Sequence, residues 1–421
     1  MLNTQIKERV EAFRVLLLWL TEGAFIKESG LSPFAMEVAL GVCRRHLFLE
    51  YFVRNLVKKM PSLELRVVLE MGLYQMFFMS VPDHAAISTS VELSRSANLG
   101  EGAQRLVNGV LRSARRSGLP QMPPQRMRRI SIENSVPEWI VRRWFDVYGG
   151  DGAEMLAKRT LERPAEWLRV NLQKTTAKEL VQKLGWVETD VLFGRYIQVP
   201  AEVKLKSLLE SDDFLRGEFS LQNPAAYQVV ELLDVKPSLR IWDACAAPGG
   251  KSALLAEMDA SLDILASDVS ATRVAKMQDL KERLELKNIQ LAEIDVLDSG
   301  KALERFLPNG AKFDRILLDV PCSNMGVVSR RPEVLYRLSL QSMKELAELQ
   351  YKILESAAKN LASNGVLVYA TCSPDPMETT QVVARFVKAH PEFVKLGGAI
   401  LSGNGDSRID RFFAQALALK K

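Results

Sequence analysis

From residue 1 to about 118, apolar side chains return every three or four positions, in FRVLLLWL, LEYFVRNLV, LRVVLEMGLYQMFFM and QRLVNGVL. That spacing turns one stripe of each helix toward a core. Asp83 follows a proline in VPDHAA and is placed to cap a helix N-terminus. LPQMPPQRM, with three prolines, breaks the pattern and predicts a linker. Residues 131–220 are mixed: helix-like PEWIVRRWFDVYG, then short strands such as WLRVNL and YIQVP. From about 221, strands LRIWD, DILASD, NIQLAEID, FDRILLDV and GVLVYATC alternate with helical KSALLAEM, ATRVAKMQDLKERL, SLQSMKELAELQYKILESAAKNL and PMETTQVVARFVKAH. Such alternation predicts a mostly parallel, doubly wound sheet with ligands at its strand C-terminal ends. The expected organisation is an all-α domain over 1–125, a linker and small mixed α+β segment over 126–220, and an α/β Rossmann-like domain over 221–421.

Composition narrows the class. The 421 residues are 47% hydrophobic and 25% charged, enough apolar material for sizeable cores and unlike a disordered chain. The longest N-terminal apolar run, Val15 to Leu20, follows Arg9, Glu11 and Arg14 and precedes no small-residue cleavage site, so neither a signal peptide nor a membrane span is expected. Four cysteines (Cys43, Cys245, Cys322, Cys372) are widely spaced with no CxxC pair, and the three histidines are scattered. A cytoplasmic protein with reduced thiols, no metal site and no membrane partner is the reading.

Charge adds a partner. The net +5 is uneven: residues 1–130 hold 18 basic against 11 acidic side chains. Arg105, Arg112, Arg115, Arg116, Arg126, Arg128 and Arg129 follow one another with no intervening acid. A basic patch beside a neutral domain suggests a polyanion such as RNA, and a solvated linker is the alternative.

The first chemical motif is Asp243-Ala-Cys-Ala-Ala-Pro-Gly-Gly-Lys-Ser252, after a strand and opening a helix. Its small residues and glycines let backbone approach a ligand. A phosphate-cradling loop would need glycine where Cys245 stands, and no GxGxxG is present. An adenosine cofactor without phosphates, S-adenosylmethionine, suits the loop better, and a ligand-free turn is the bland alternative. Asp268 ends the second strand, about 20 residues on, where a carboxylate meets ribose hydroxyls. Asp295 ends the third strand, placed for the adenine edge, and Asp319 ends the fourth.

Two thiols follow. Cys322 leaves strand four in DVPCSNMG and Cys372 leaves strand five in ATCSP. In a doubly wound sheet these strands are neighbours, so both cysteines should overhang one crevice. A single cysteine is usually a buried small hydrophobe, which fits two proline-flanked strand exits poorly. Two thiols and a methyl donor suit methylation of carbon 5 of cytosine. One thiolate adds to carbon 6 and makes carbon 5 nucleophilic, and a second group removes the carbon-5 proton so that the adduct eliminates. Asp319 is placed to hydrogen-bond the base edge. The base must be single-stranded or flipped out.

DACAAPGGKS, LLDVPCSNMG and YATCSPDPME resemble the signature motifs of the NOL1/NOP2/Sun family of RNA cytosine-C5 methyltransferases. GLYQMFFMSVPDHAAISTSVELS and LVNGVLR resemble a NusB-like helical RNA-binding domain. The resemblance covers essentially the whole chain. It implies a Rossmann-like methyltransferase domain behind an all-α NusB-like domain, with small-subunit (16S) ribosomal RNA or its assembly intermediate as partner. It implies a cofactor loop at Cys245, Ala246, Ala247, Pro248, Gly249, Gly250 and Lys251, with Asp268, Asp295 and Asp319 as further contacts. It also ranks the thiols, which the chemistry alone does not: Cys372 as nucleophile, Cys322 for product release. Arg273 stands where the family tends to place an arginine. The sequence departs from the family at Asn324 and Met325 before Gly326, at PMETT, which keeps only Glu378 of an acidic pair, at Asn223, and at Arg411.

Two other functions compete. GGKS with the ILLDV run echoes a nucleotide hydrolase, against which Cys245 counts. A non-catalytic assembly factor could hold ribosomal RNA with the basic helical domain, against which the two thiols and the strand-end acids count.

Overall fold

The three-and-four spacing produces helices at Thr4–Glu22, Pro33–Arg44, His46–Leu56, Leu63–Phe78, Asp83–Ser96 and Gly100–Ser117. In this computed structural model, which describes residues 4–26, 30–187, 189–403 and 405–420, they surround a core that includes Leu16, Val38, Leu49, Phe52, Val67, Leu69 and Leu111. Ser32 and Ser62 cap their helices by accepting the backbone N–H groups of Ala35 and Leu65. Asp83 does not cap: Pro82 holds that position, and Asp83 is the first helical residue. Its charge there still opposes the positive helix end, and it pairs with Arg115 at 3.0 Å.

The chain divides into two compact units, Met1–Arg163 with Val328–Leu338, and Pro164–Val327 with Ser339–Lys421. The helical unit therefore runs past the proline-rich stretch. Helices Arg126–Asn134 and Glu138–Thr160 join it, because Ile132 is buried in the same core and Ser135 Oγ accepts the Phe48 N–H at 3.1 Å. Residues 328–338 return to this unit from far along the sequence. Tyr336 packs edge-on against Trp19 and His46 and donates to the Ser135 carbonyl at 2.8 Å.

The second unit opens with a small antiparallel sheet, β1 (Trp167–Val170), β2 (Val191–Leu192), β3 (Tyr196–Gln198) and β4 (Phe219–Leu221), in the order β2-β3-β1-β4. A seven-stranded sheet follows: β5 (Arg240–Asp243), β6 (Asp263–Asp268), β7 (Ile289–Glu293), β8 (Phe313–Asp319), β9 (Leu361–Thr371), β10 (Phe393–Leu401) and β11 (Phe413–Leu419). Its order is β10-β11-β9-β8-β5-β6-β7. Strands β5 to β9 are mutually parallel, and β11 runs antiparallel to both its neighbours. Alternation splits each strand between two cores. Ile316, Leu318, Leu367 and Tyr369 face one layer of helices, and Leu317, Val368 and Ala370 the other.

A buried ion pair ties the small sheet to a helix that packs on the large one. Arg169 on β1 makes a two-pronged contact with Glu257 (2.6 and 3.0 Å) and donates to the Gly250 carbonyl at 2.7 Å. Both side chains are 1% exposed. The helix Gly250–Met258, which the cofactor-type loop opens, is thus fixed to the small sheet.

Candidate active site

The strand order puts β8 between β5 and β9, so the loops after these three strands share one edge. Asp243 ends β5 and is buried. Its Oδ2 accepts the Ser252 hydroxyl at 2.6 Å, while its Oδ1 is buried without a hydrogen-bond partner. Burial is the main cause that pushes its pKa up to about 7; Ser252 and Lys251 oppose, and Asp319 and Asp268 add to the rise. Gly249 caps the following helix at φ 95°, and a Cβ there would stand 3.2 Å from Met277. Lys251 donates to the Asp319 carboxylate and lies 4.9 Å above the Phe412 ring. Burial pushes the Cys245 thiol well up, with Asp243 and Asp319 adding to it.

Asp268 ends β6 and is 2% exposed. It accepts the Ser270 N–H at 3.0 Å and Arg273 at 2.7 Å. Asp295 does not end its strand. β7 stops at Glu293, and Asp295, exposed two residues later, accepts the Leu297 N–H at 2.9 Å as the cap of a short turn.

The two thiols meet. β8 and β9 pair in register, Asp319 beside Ala370, and their exits bring Cys322 Sγ within 2.9 Å of Cys372 Sγ. Cys372 donates to Asn324 Oδ1 at 3.1 Å. The Gly326 N–H donates to the Cys372 carbonyl at 2.8 Å, and the Gly326 carbonyl accepts the Arg411 N–H at 3.2 Å. The Cys372 pKa is raised well above the ordinary thiol value, first by the hydrogen bond to Cys322 and then by burial; Lys251 pulls it down.

The model of the 16S rRNA methyltransferase RsmB/F family matches residues 230–405, that of the NusB family residues 7–116, and that of an RsmF/B-like ferredoxin-like domain residues 136–192. The probable ribosomal RNA small subunit methyltransferase B of Bacillus subtilis is 33% identical over 396 residues, covering 92% of this chain and 86% of its own. That of Shewanella oneidensis is 35% identical over 320 residues, 76% of this chain and 72% of its own. This chain belongs to the ribosomal RNA small subunit methyltransferase B family. Among solved structures, PH0851 (22% identity, TM-score 0.78, 98% of each chain) and a methyltransferase homolog from Pyrococcus horikoshii (22%, 0.58, 71% of this chain and 100% of that one) share the fold. Membership in a methyltransferase family implies a methyl donor of the S-adenosylmethionine type. No helix among the described residues is long and apolar enough to cross a membrane.

The arginines expected to bind RNA line more than one hollow. Arg112 and Arg115 line a groove of about 630 Å³ with Arg95, Arg105 and His84. Arg128 lines a different hollow beside Tyr51, Pro120, Pro123 and Pro124. Arg126 is engaged by Asp151 (2.7 Å) and Glu154 (3.3 Å); Arg116 is exposed and Arg129 half-buried.

Asn324 and Arg411, read as departures from the family pattern, contact the thiol loops. Phe412 lies against Lys251 and belongs to a segment that sequence reasoning left without a role. The signal it gave was local, a pair of aromatics before an apolar alternation, and its partner lies 161 positions earlier.

Proposed function

We propose that this protein transfers a methyl group from S-adenosylmethionine to carbon 5 of a cytosine in small-subunit (16S) ribosomal RNA, through a covalent bond between Cys372 and cytosine carbon 6. The observation that carries the reading is the 2.9 Å approach of the two thiols at adjacent strand exits, together with the loop that follows Asp243, whose Lys251 pairs with Asp319.

The charge of the site supports the cofactor. Its one lysine is already paired with Asp319, Asp268 is buried nearby, and Asp243 Oδ1 lacks a donor. These acceptors suit a cation bearing an ammonium and a sulfonium, and would repel a polyphosphate. The groups that would hold it are the loop Cys245, Ala246, Ala247, Pro248, Gly249, Gly250 and Lys251, with Asp268, Asp295 and Asp319. S-adenosylmethionine, when bound, supplies an electrophilic methyl group.

The chain's own groups do the rest. The Cys372 thiolate adds to carbon 6, and the electron pair this places on carbon 5 takes the methyl group. Asp319 hydrogen-bonds the base edge. Cys322 removes the carbon-5 proton, the double bond re-forms, and the Cys372–carbon bond breaks, returning the thiolate. The groove of Arg112 and Arg115 holds RNA phosphates, with Arg116, Arg126, Arg128 and Arg129 as lesser contributors.

Trapping tests this. With RNA and S-adenosylmethionine, Cys322→Ala accumulates a covalent RNA adduct and Cys372→Ala does not. The reverse pattern would exchange the roles of the two thiols. Bisulfite sequencing of 16S RNA from a deletion strain should lose one methylated cytosine, and an unchanged map would leave a binding role only.

A further inference from the structure

Resting on the two-thiol reaction proposed above, we infer that Glu378 is the positioning residue that holds the Cys322 and Cys372 loops in mutual register. Its side chain is fully buried and 0% exposed, in a turn Pro376–Glu378 that follows β9. Its hydrogen bonds go to residues flanking the thiols and to neither sulfur.

Its carboxylate accepts four hydrogen bonds. Oε1 takes the Ser323 N–H at 2.8 Å and the Gln350 amide at 3.0 Å. Oε2 takes the Ser323 hydroxyl at 2.5 Å and the Ser373 hydroxyl at 2.6 Å. Ser323 follows Cys322 and Ser373 follows Cys372, so one rigid group is bonded to the residue after each thiol. Gln350 extends the hold: it also donates to the carbonyl of Pro321, the residue before Cys322, at 2.9 Å. Tyr369 on β9 donates to the Glu378 carbonyl at 2.6 Å and fixes the turn itself. Ser323, Ser373 and Gln350 are all buried, at most 3% exposed.

A carboxylate is the side chain that accepts from four directions without offering a proton, and charged acceptors make the stronger bonds. Glutamine has the same shape but turns one acceptor into a donor. That donor would face either two hydroxyls or an N–H and an amide. Either the amide opposes the Ser323 N–H and Gln350, or both hydroxyls must turn to accept from it, and in each case the charged acceptor that the two loops share is lost; catalysis by two groups acting in sequence on one ring is sensitive to shifts of an ångström.

The test uses the full-length protein with rRNA substrate. Active sites are counted by S-adenosylmethionine binding, so that a misfolded fraction does not register as slow chemistry. Glu378→Gln is expected to lower kcat per binding site by about tenfold or more, leave KM for RNA within about threefold, and raise the steady-state fraction of covalent adduct, because Cys322 no longer meets the carbon-5 proton. A purely structural role would reduce the number of binding sites and leave kcat per site and the adduct fraction unchanged; that result overturns the inference. Should Glu378→Gln fail to fold, Ser373→Ala, which removes one of the four bonds, is expected to lower kcat per site by about threefold or more, and a wild-type value overturns the inference equally. Absence of any adduct or carbon-5 product with the wild-type protein would instead overturn the proposed reaction.

Discussion

Cys322 Sγ stands 2.9 Å from Cys372 Sγ, and this contact is the largest cause that raises the Cys372 pKa. The partner thiol that is proposed to finish the reaction therefore also restrains its start. Cys322→Ala removes that cause, so Cys372 should deprotonate at a lower pH than in the wild type. Alkylation of Cys372 by iodoacetamide, followed across pH by peptide mass spectrometry, is expected to show its midpoint shifted downward in the variant. Coincident midpoints would contradict the coupling.

Gly326 passes between two backbone carbonyls. A Cβ there would lie 2.0 Å from the Arg411 oxygen and 2.7 Å from that of Cys372, and neither is the yielding end of a side chain. Gly326→Ala is expected to lower turnover by about a hundredfold, while S-adenosylmethionine affinity, measured by calorimetry, stays within a few fold.

Asp243 gives a pH dependence of known sign. Its folded-state pKa of about 7 lies above the ordinary aspartate value of 3.8, so the folded ligand-free protein binds the proton more tightly than the unfolded chain. The contribution is fully present below about pH 4 and is lost as pH rises through about 7. Asp243→Asn carries no such charge. Relative to the wild type, its melting temperature should improve from pH 5.5 to pH 8; a constant difference would mean that Asp243 does not carry the shift.

The Arg169–Glu257 pair is a buried-charge problem. Glu257→Gln leaves a guanidinium buried against a neutral group and is expected to cost about 3–5 kcal/mol by chemical denaturation. The double replacement Arg169→Met with Glu257→Leu should cost less than the single one, because it leaves no unpaired charge. A single variant as stable as the wild type would show the pair to be slack.

The RNA groove is separable from the chemistry. Arg112→Ala with Arg115→Ala should weaken rRNA binding and reduce the slope of log affinity against log salt by about 1.5, read by filter binding at several salt concentrations. An unchanged slope would move the RNA surface elsewhere.

The sequence by itself determined the elements and the order of the site. Alternation of strand and helix predicted a parallel sheet, and the order of the motifs put Asp243, Asp268, Asp319, Cys322 and Cys372 at strand exits, because local periodicity and glycine chemistry act within a few residues. Tertiary structure decided what depends on partners far apart in the chain. The unit boundary moved past residue 125 because Ile132 and Ser135 pack on the helix carrying Phe48, and residues 328–338 returned to the helical unit. Asp295 proved to lie two residues past its strand, and Arg112 and Arg128, on different helices, line different hollows. Couplings such as Glu378 to Ser323 across 55 positions and Lys251 to Phe412 rest on hydrogen bonds and ring contacts that only the folded sheet brings within reach.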